Sequence, residues 1–208
     1  METTVFLIRH AECQGNIEDK LSGITDFKIT DNGKKQAKLL ATKMKDLKIS
    51  KVYTSPLSRA IDTAKIIMEE CQIKKLNIVN SLREINYGVC DGMAWTEINK
   101  KYPTIKKEWK EIHHYPIGIE KQELFTELQN RMIKTIKKIT NDNLGERIAI
   151  VSHGMAIYSF LCFVKKLNIE ECNKLKQQEN TAYTILKYKN GEFYLIDEAN
   201  SEHLKDVI

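Results

Sequence analysis

Val5-Phe6-Leu7-Ile8, four apolar residues in a row, read as a strand buried on both faces, and Arg9-His10 ends the run. A polar loop follows from Glu12 to Ile29. Thr30-Asp31-Asn32-Gly33 then marks a helix start, with Ala37, Leu40, Ala41, Met44 and Leu47 spaced along one helical face. Lys51 to Thr54 is a short second strand. Ser55-Pro56 predicts the next helix, with Ser55 as its cap and Pro56 in its first position, and Ala60, Ile61, Ala64, Ile67, Met68 and Cys71 on one side. Leu76 to Val79 is a third strand, from which Ser81-Leu82-Arg83-Glu84 leads into a loop punctuated by Gly88 and Gly92. The pattern weakens from Ala94 to Gly118, where Pro103 and Pro116 interrupt short helical pieces; residues 93–123 are expected to form a helical cap insertion. Its aromatics Trp95, Tyr102, Trp109 and Tyr115 are read as packing rather than as a substrate cage. A long helix carries Leu124, Leu128, Met132, Ile136 and Ile139 on one face. Arg147 to Val151 is a buried strand ending in Ser152-His153-Gly154, and the helix Met155 to Lys165, apolar nearly all round, is expected to be central. Thr181 to Tyr188, Asn190-Gly191 and Phe193 to Ile196 read as a hairpin.

Strands alternating with helices predict a three-layer α/β/α sandwich with a mostly parallel mixed sheet, the terminal hairpin adding antiparallel pairing. At 208 residues, 42% of them hydrophobic, the chain suits a single domain with a sizeable core. The net charge of +5 is spread over scattered lysines, with no basic stripe interleaved with aromatics, so nucleic acid is not an expected partner. No apolar run approaches the length of a membrane span. Cys13, Cys71, Cys90, Cys162 and Cys172 are odd in number and form no C-x-x-C, and the first residues show no leader; five reduced thiols in a cytoplasmic protein are expected.

Arginine is scarce (Arg9, Arg59, Arg83, Arg131 and Arg147), and its placement is informative. Each of the four strands before the hairpin is followed closely by a polar anchor: Arg9 and His10, then Arg59, then Glu84, then His153. If those strands are parallel neighbours, all five side chains gather at one sheet edge, where open α/β sheets bind ligands. Guanidinium forks suit phosphate oxygens, imidazoles act as nucleophile or proton donor near neutral pH, and a carboxyl group supplies a general acid or base. Fixed positive donors around a phosphoryl group stabilise its charge in transfer without a metal, and a neutral ring nitrogen of His10 attacking phosphorus would form a phosphohistidine.

Arg9-His10-Ala11-Glu12, Asn16, Ser55-Pro56-Leu57-Ser58-Arg59-Ala60, Leu82-Arg83-Glu84-Ile85 and Val151-Ser152-His153-Gly154 resemble the histidine phosphatase superfamily, in its phosphoglycerate-mutase-like branch, with the motifs in the family's order. The resemblance implies that His10 is the phosphorylated nucleophile. It implies that Arg9, Arg59 and His153, joined by Asn16 and Gly154, hold the phosphoryl group, that Glu84 is the proton donor, and that Ser22-Gly23 touches substrate. It implies no cofactor and a small phosphorylated metabolite as partner; a monomer or homodimer is expected, the C-terminal hairpin offering an edge for dimerisation. There are departures: Ala11 stands where glycine is usual, Cys13 where serine or threonine is usual, Cys90-Asp91 where an aromatic and a glutamate are common, and Gly118-Ile119-Glu120 where Gly-Glu-Ser is more frequent.

Competing chemistries lack their signatures. There is no H-E-x-x-H, no deaminase P-C-x-x-C, no cysteine with arginine six residues on, and no P-loop. His113, His114 and His203 are read as surface or cap residues, and Cys13, close to His10, as a candidate point of oxidant sensitivity. The expected activity is a metal-independent phosphomonoesterase. A cofactor-dependent phosphoglycerate mutase and a non-catalytic sensor of a phosphorylated metabolite are its rivals.

Overall fold

The structure, a computed structural model, describes residues 1–105, 118–172, 175 and 178–205. In chain order it runs β1 (Thr3–Arg9), α1 (Gln14–Ile17), α2 (Asp31–Met44), β2 (Lys51–Thr54), α3 (Ser58–Glu70), β3 (Leu76–Ile78), α4 (Trp95–Lys101), α5 (Phe125–Asn141), β4 (Arg147–Ser152), α6 (Gly154–Val164), α7 (Ile169–Cys172), β5 (Tyr183–Lys189) and β6 (Glu192–Asn200).

The strands form one six-stranded sheet in the order β3-β2-β4-β1-β5-β6. The first four run parallel, and β5 and β6 pair antiparallel. Alternation along the central strands fills two separate cores. Val5, Leu7, Ile148 and Ile150 face α5 and α6, packing with Leu128, Met132, Ile136 and Met155. Phe6, Ile8, Ala149 and Val151 face α2 and α3, packing with Leu40, Met44, Ala64 and Ile67. A strand apolar on both sides needs a cover on both, hence three layers. The turn between β5 and β6 puts Asn190 (φ 54°) and Gly191 (φ 84°) in the left-handed region, the geometry a two-residue hairpin requires.

Thr30 caps α2 as expected, its hydroxyl accepting the Gly33 N–H at 2.9 Å. Pro56, however, does not open α3. The helix starts at Ser58, where the Asp26 carboxylate accepts both the Ser58 N–H (2.8 Å) and its hydroxyl (2.9 Å), while the Ser55 side chain is turned to His153. On α5 the expected face is shifted at its start: Leu124 is exposed and Phe125 takes the buried place. Cys162 and Cys172 were expected as free thiols, but the structure pairs them as a disulfide, leaving Cys13, Cys71 and Cys90 free. The cause is tertiary: α6 and α7 bring their Cα atoms to 5.7 Å, within disulfide reach, from positions that form no sequence motif.

Of the expected cap at 93–123, α4 and Ile105 pack on the α5–α6 core, with Trp95 and Tyr102 partly buried against it. Trp109, His113, His114 and Tyr115 lie outside the described residues. His203 is half-buried beside Thr181 rather than on the surface, with Nε2 3.0 Å from the threonine hydroxyl. No helix among the described residues is long and apolar enough to cross a membrane.

Candidate functional site

The carboxyl ends of the parallel strands converge on a cavity of about 280 Å³ whose walls include Arg9, His10, Asn16, Ser22, Glu84 and Gly154. Pairing of β1 with β4 sets Arg9 opposite Ser152, and the His10 N–H donates to the Ser152 carbonyl at 3.0 Å. The residues one step further along each strand are the two histidines, whose ring centroids lie 5.1 Å apart. Arg59, Gly23 and His153 are not on the wall; Arg59 and His153 are fully buried behind it.

His10 is 3% exposed, and its Nδ1 lies 2.7 Å from the Ala11 carbonyl oxygen. A carbonyl can only accept, so Nδ1 carries the proton and Nε2 keeps its lone pair for the cavity. Burial, with the Arg59 and Arg9 charges, holds this imidazole well below its ordinary pKa of 6.5, so it is neutral at pH 7. Ala11, the departure from glycine, lies outside the left-handed region, and its N–H donates to Thr63 Oγ1 at 2.9 Å. The methyl group is therefore tolerated.

The arginines divide their work. Arg59 donates to the Ser22 carbonyl (3.1 Å), the Gly23 carbonyl (2.6 Å) and the Thr25 carbonyl (2.9 Å), holding the 22–25 loop. The carbonyls of Ser22 and Gly23, the segment expected to touch substrate, are occupied by Arg59, and Gly23 is packed so closely that a Cβ would stand 2.0 Å from Asp91 Oδ2. Arg9 reaches the Gln178 carbonyl through Nη1. Arg9 Nε, Arg59 Nε and His153 Nδ1 remain, all buried and all without a partner among the described residues. A buried donor left without an acceptor costs about 1–3 kcal/mol, so the orphaned nitrogens, on Arg9 at the wall and on Arg59 and His153 behind it, call for an acceptor from outside the described residues.

Asn16 Oδ1 accepts from the Cys13 N–H (3.0 Å) and from Asn180 Nδ2 (3.3 Å) at the cavity edge. Cys13 is itself buried, with Sγ 3.1 Å from Asn16 Oδ1. Gly154, the first residue of α6, forms the floor: a Cβ there would stand 3.6 Å from Arg9 Cζ and 3.8 Å from Glu84 Oε2.

Glu84, 5% exposed, is held by the start of α6. Its Oε1 accepts from the N–H groups of Ile85 and Ala156, both at 2.9 Å, and Oε2 accepts from Met155 N–H at 3.0 Å. Burial pushes its pKa up, partly opposed by those backbone donors and Arg59. The carboxyl is thereby more readily protonated than an exposed one, and the less engaged Oε2 is the atom to carry the proton. Replacing it by glutamine removes the transferable proton and turns an amide N–H₂ toward backbone donors. If this carboxyl serves as the proton donor in cleavage of a phosphate ester, Glu84→Gln is expected to slow hydrolysis of an alkyl phosphate by about 10²–10⁴-fold and that of p-nitrophenyl phosphate far less, since a good leaving group needs little protonation. Steady-state kcat on the two esters checks it.

Three supports were not foreseen in the sequence. Asp91, noted there only as a departure, accepts from the N–H groups of Ile24 (2.9 Å), Thr25 (2.7 Å) and Tyr87 (3.1 Å), tying two loops of the site together. Arg131 on α5 donates to the carbonyls of Ser81 (2.9 Å), Arg83 (2.8 Å) and Glu84 (2.9 Å) and pairs with Glu123 at 2.6 Å, bracing the segment that carries Glu84. Asn180 donates to the His10 carbonyl at 3.0 Å. Among the described residues no group of three or more His, Cys, Asp or Glu side chains is arranged to hold a metal ion.

The two buried histidines set the pH dependence of stability. Burial and the arginine charges lower the folded pKa of both His10 and His153, while the unfolded chain titrates them near 6.5. Below about pH 6.5 the unfolded state therefore binds more protons, and each histidine removes about 1.4 kcal/mol per pH unit down to its folded pKa. His203, its pKa lowered to about 4, acts in the same sense. Glu84, with a raised folded pKa, acts oppositely: its contribution is present below the unfolded value and lost as pH rises, but it is one group against three. Urea midpoints of the ligand-free protein at pH 5, 6 and 7 are expected to rise with pH; a flat series would mean the histidines are charged in the fold.

The site thus sets a neutral imidazole at a cavity edge, with unpartnered buried arginine nitrogens nearby, on a mostly parallel α/β sandwich. The sequence model of the histidine phosphatase superfamily (branch 1) matches residues 5–201, and the chain belongs to that superfamily. It is similar to phosphoserine phosphatase 1 of Hydrogenobacter thermophilus, 29% identical over 160 residues, covering 76% of this chain and 74% of the relative. It is also similar to phosphoglycerate mutase-like protein 4 of Arabidopsis thaliana, 29% identical over 208 residues, covering 98% of this chain and 87% of the relative. Among solved structures, YhfR of Bacillus stearothermophilus superposes with a TM-score of 0.91 at 26% identity, covering 98% of this chain and 100% of that one.

Proposed function

We propose that the protein hydrolyses small phosphate monoesters through a phosphohistidine on His10, without a metal. The observation that carries this reading is a neutral His10 imidazole whose Nδ1 is held by Ala11, leaving Nε2 its lone pair, with the His153 ring 5.1 Å away and orphaned buried nitrogens on Arg9, Arg59 and His153. In this reading Nε2 of His10 attacks phosphorus in line with the ester oxygen. The orphaned donors, with Asn16 at the edge, take the equatorial oxygens as their negative charge is redistributed. Glu84 gives its proton to the departing alcohol as the P–O bond breaks, then takes a proton from the water that attacks phosphohistidine. Orthophosphate leaves, and both groups return to their starting states. The cavity's volume favours a small ester, and a relative named as a phosphoserine phosphatase makes phosphoserine the first ester to try.

The experiment is phosphate release from a panel of esters (phosphoserine, phosphoglycerates, sugar phosphates and nucleoside monophosphates) in the presence of EDTA. Release that survives chelation supports the reading; release abolished by EDTA overturns its mechanism. Rapid interconversion of phosphoglycerates dependent on a bisphosphate primer, with little release, would make the protein a mutase. Binding without turnover would make it a sensor.

A further inference from the structure

His153 has two ring nitrogens in different circumstances. Nε2 lies 2.7 Å from the Ser55 hydroxyl, and Nδ1 is buried with no partner among the described residues. Ser55 is fully buried and its Oγ already accepts the Leu57 N–H at 3.3 Å, so the hydroxyl hydrogen must find an acceptor, and His153 Nε2 is the one in reach. Were Nε2 the donor instead, both the Ser55 O–H and the Nδ1 lone pair would be buried and unsatisfied. With the hydroxyl donating, a single group is left over, the Nδ1–H.

From this geometry we infer that Ser55 is a positioning residue: its hydroxyl fixes His153 in the Nδ1–H tautomer, so that a neutral imidazole N–H, in a ring 5.1 Å from that of His10, donates to an oxygen of the phosphoryl group. The inference deepens the proposed phosphoryl chemistry and rests on it. Burial, the nearby charge of Arg59 and the His10 ring keep His153 neutral, which makes the tautomer, rather than the charge, the quantity that matters. The turn at Ser55-Pro56 delivers the hydroxyl: the Ser55 N–H donates to the Val151 carbonyl at 3.1 Å, anchoring the turn to β4 two residues before His153. That anchoring also accounts for why Ser55 does not serve as the cap of α3.

The test uses full-length protein with ¹⁵N-labelled histidine, in a buffer free of chelators, with His153 signals identified by their loss in His153→Asn. Long-range ¹H–¹⁵N spectra of wild type are expected to show the Nδ1–H form for His153. In Ser55→Ala the Nε2–H form should gain population, while the other histidine signals stay in place as a check on folding. Orthovanadate, an analogue of the five-coordinate phosphoryl group, should bind about 10-fold more weakly to Ser55→Ala. On the best ester of the panel, kcat should fall about 10–100-fold with KM changing less. An Nε2–H tautomer in wild type overturns the inference, and so does a Ser55→Ala protein whose tautomer is unchanged, whatever its activity. If wild type hydrolyses no ester, yet the tautomer shifts and vanadate weakens as described, the hydrolase reading fails and the role of Ser55 stands.

Discussion

His10→Ala is expected to lower phosphate release by at least about 10⁴-fold in EDTA, and to leave no acid-labile phosphoenzyme after a quench in base. Losses of this order follow removal of a nucleophile whose neighbours act with it as a unit. Arg9, Arg59 and His153 would still gather the ester, so binding of orthophosphate should persist while turnover stops. The fold should tolerate the change. His10 contributes one ring hydrogen bond, to Ala11, and its backbone N–H keeps its bond to Ser152. The melting temperature should therefore stay within a few degrees of wild type, where about 1 kcal/mol shifts a domain of this size by 2–4 °C. Retained activity in this variant would end the phosphohistidine mechanism.

Arg59→Lys is the second large effect, and it combines function with stability. The guanidinium serves the carbonyls of Ser22, Gly23 and Thr25 at once, from a position that is 0% exposed. An ammonium keeps the charge but not the planar fork, and it has no counterpart to Nε. Each buried carbonyl left unsatisfied costs about 1–3 kcal/mol. A loss of about 2–4 kcal/mol is expected, read as a lower urea midpoint at unchanged slope. Phosphate release should fall about 10²–10³-fold when assayed well below the new melting temperature. A variant that keeps wild-type stability would mean that the 22–25 loop does not depend on Arg59.

The sheet and its helices were legible because their signals are local. β1 and β4 are short apolar runs, α2 and α3 show a helical stripe, and Asn190-Gly191 has the turn chemistry of a hairpin. Arg9, His10, Glu84 and His153 were legible for a topological reason: each follows a strand, and parallel neighbours bring their carboxyl ends together. The supports were not legible. The grip of Arg59 and Arg131 is on backbone carbonyls, which every residue carries, so no side-chain pattern announces it. Asp91 stood out in the sequence, but its three backbone partners come from two separate loops. At Ser55 a local rule lost to tertiary structure: the cap expected from Ser-Pro went to His153, and Asp26 took its place at α3. The Cys162–Cys172 pair likewise depends on where two helices meet.

The in-register pairing of β1 with β4 places the two histidines by a ladder of main-chain hydrogen bonds, Thr4 against Arg147 through to Arg9 against Ser152. Slipping that ladder by one residue would reverse every side chain of the strand, so the spacing is shielded from change by the core itself. The mouth of the cavity is assembled differently: Asp19 and Lys20 follow α1, Tyr87 sits in a loop, and Trp95 heads α4, all of them outside the sheet. In the proposed chemistry, the reacting groups and the groups that would meet the alcohol portion are thus held by different parts of the fold. Changes in those outer segments would then alter which ester fits, while the sheet keeps the two histidines at their spacing.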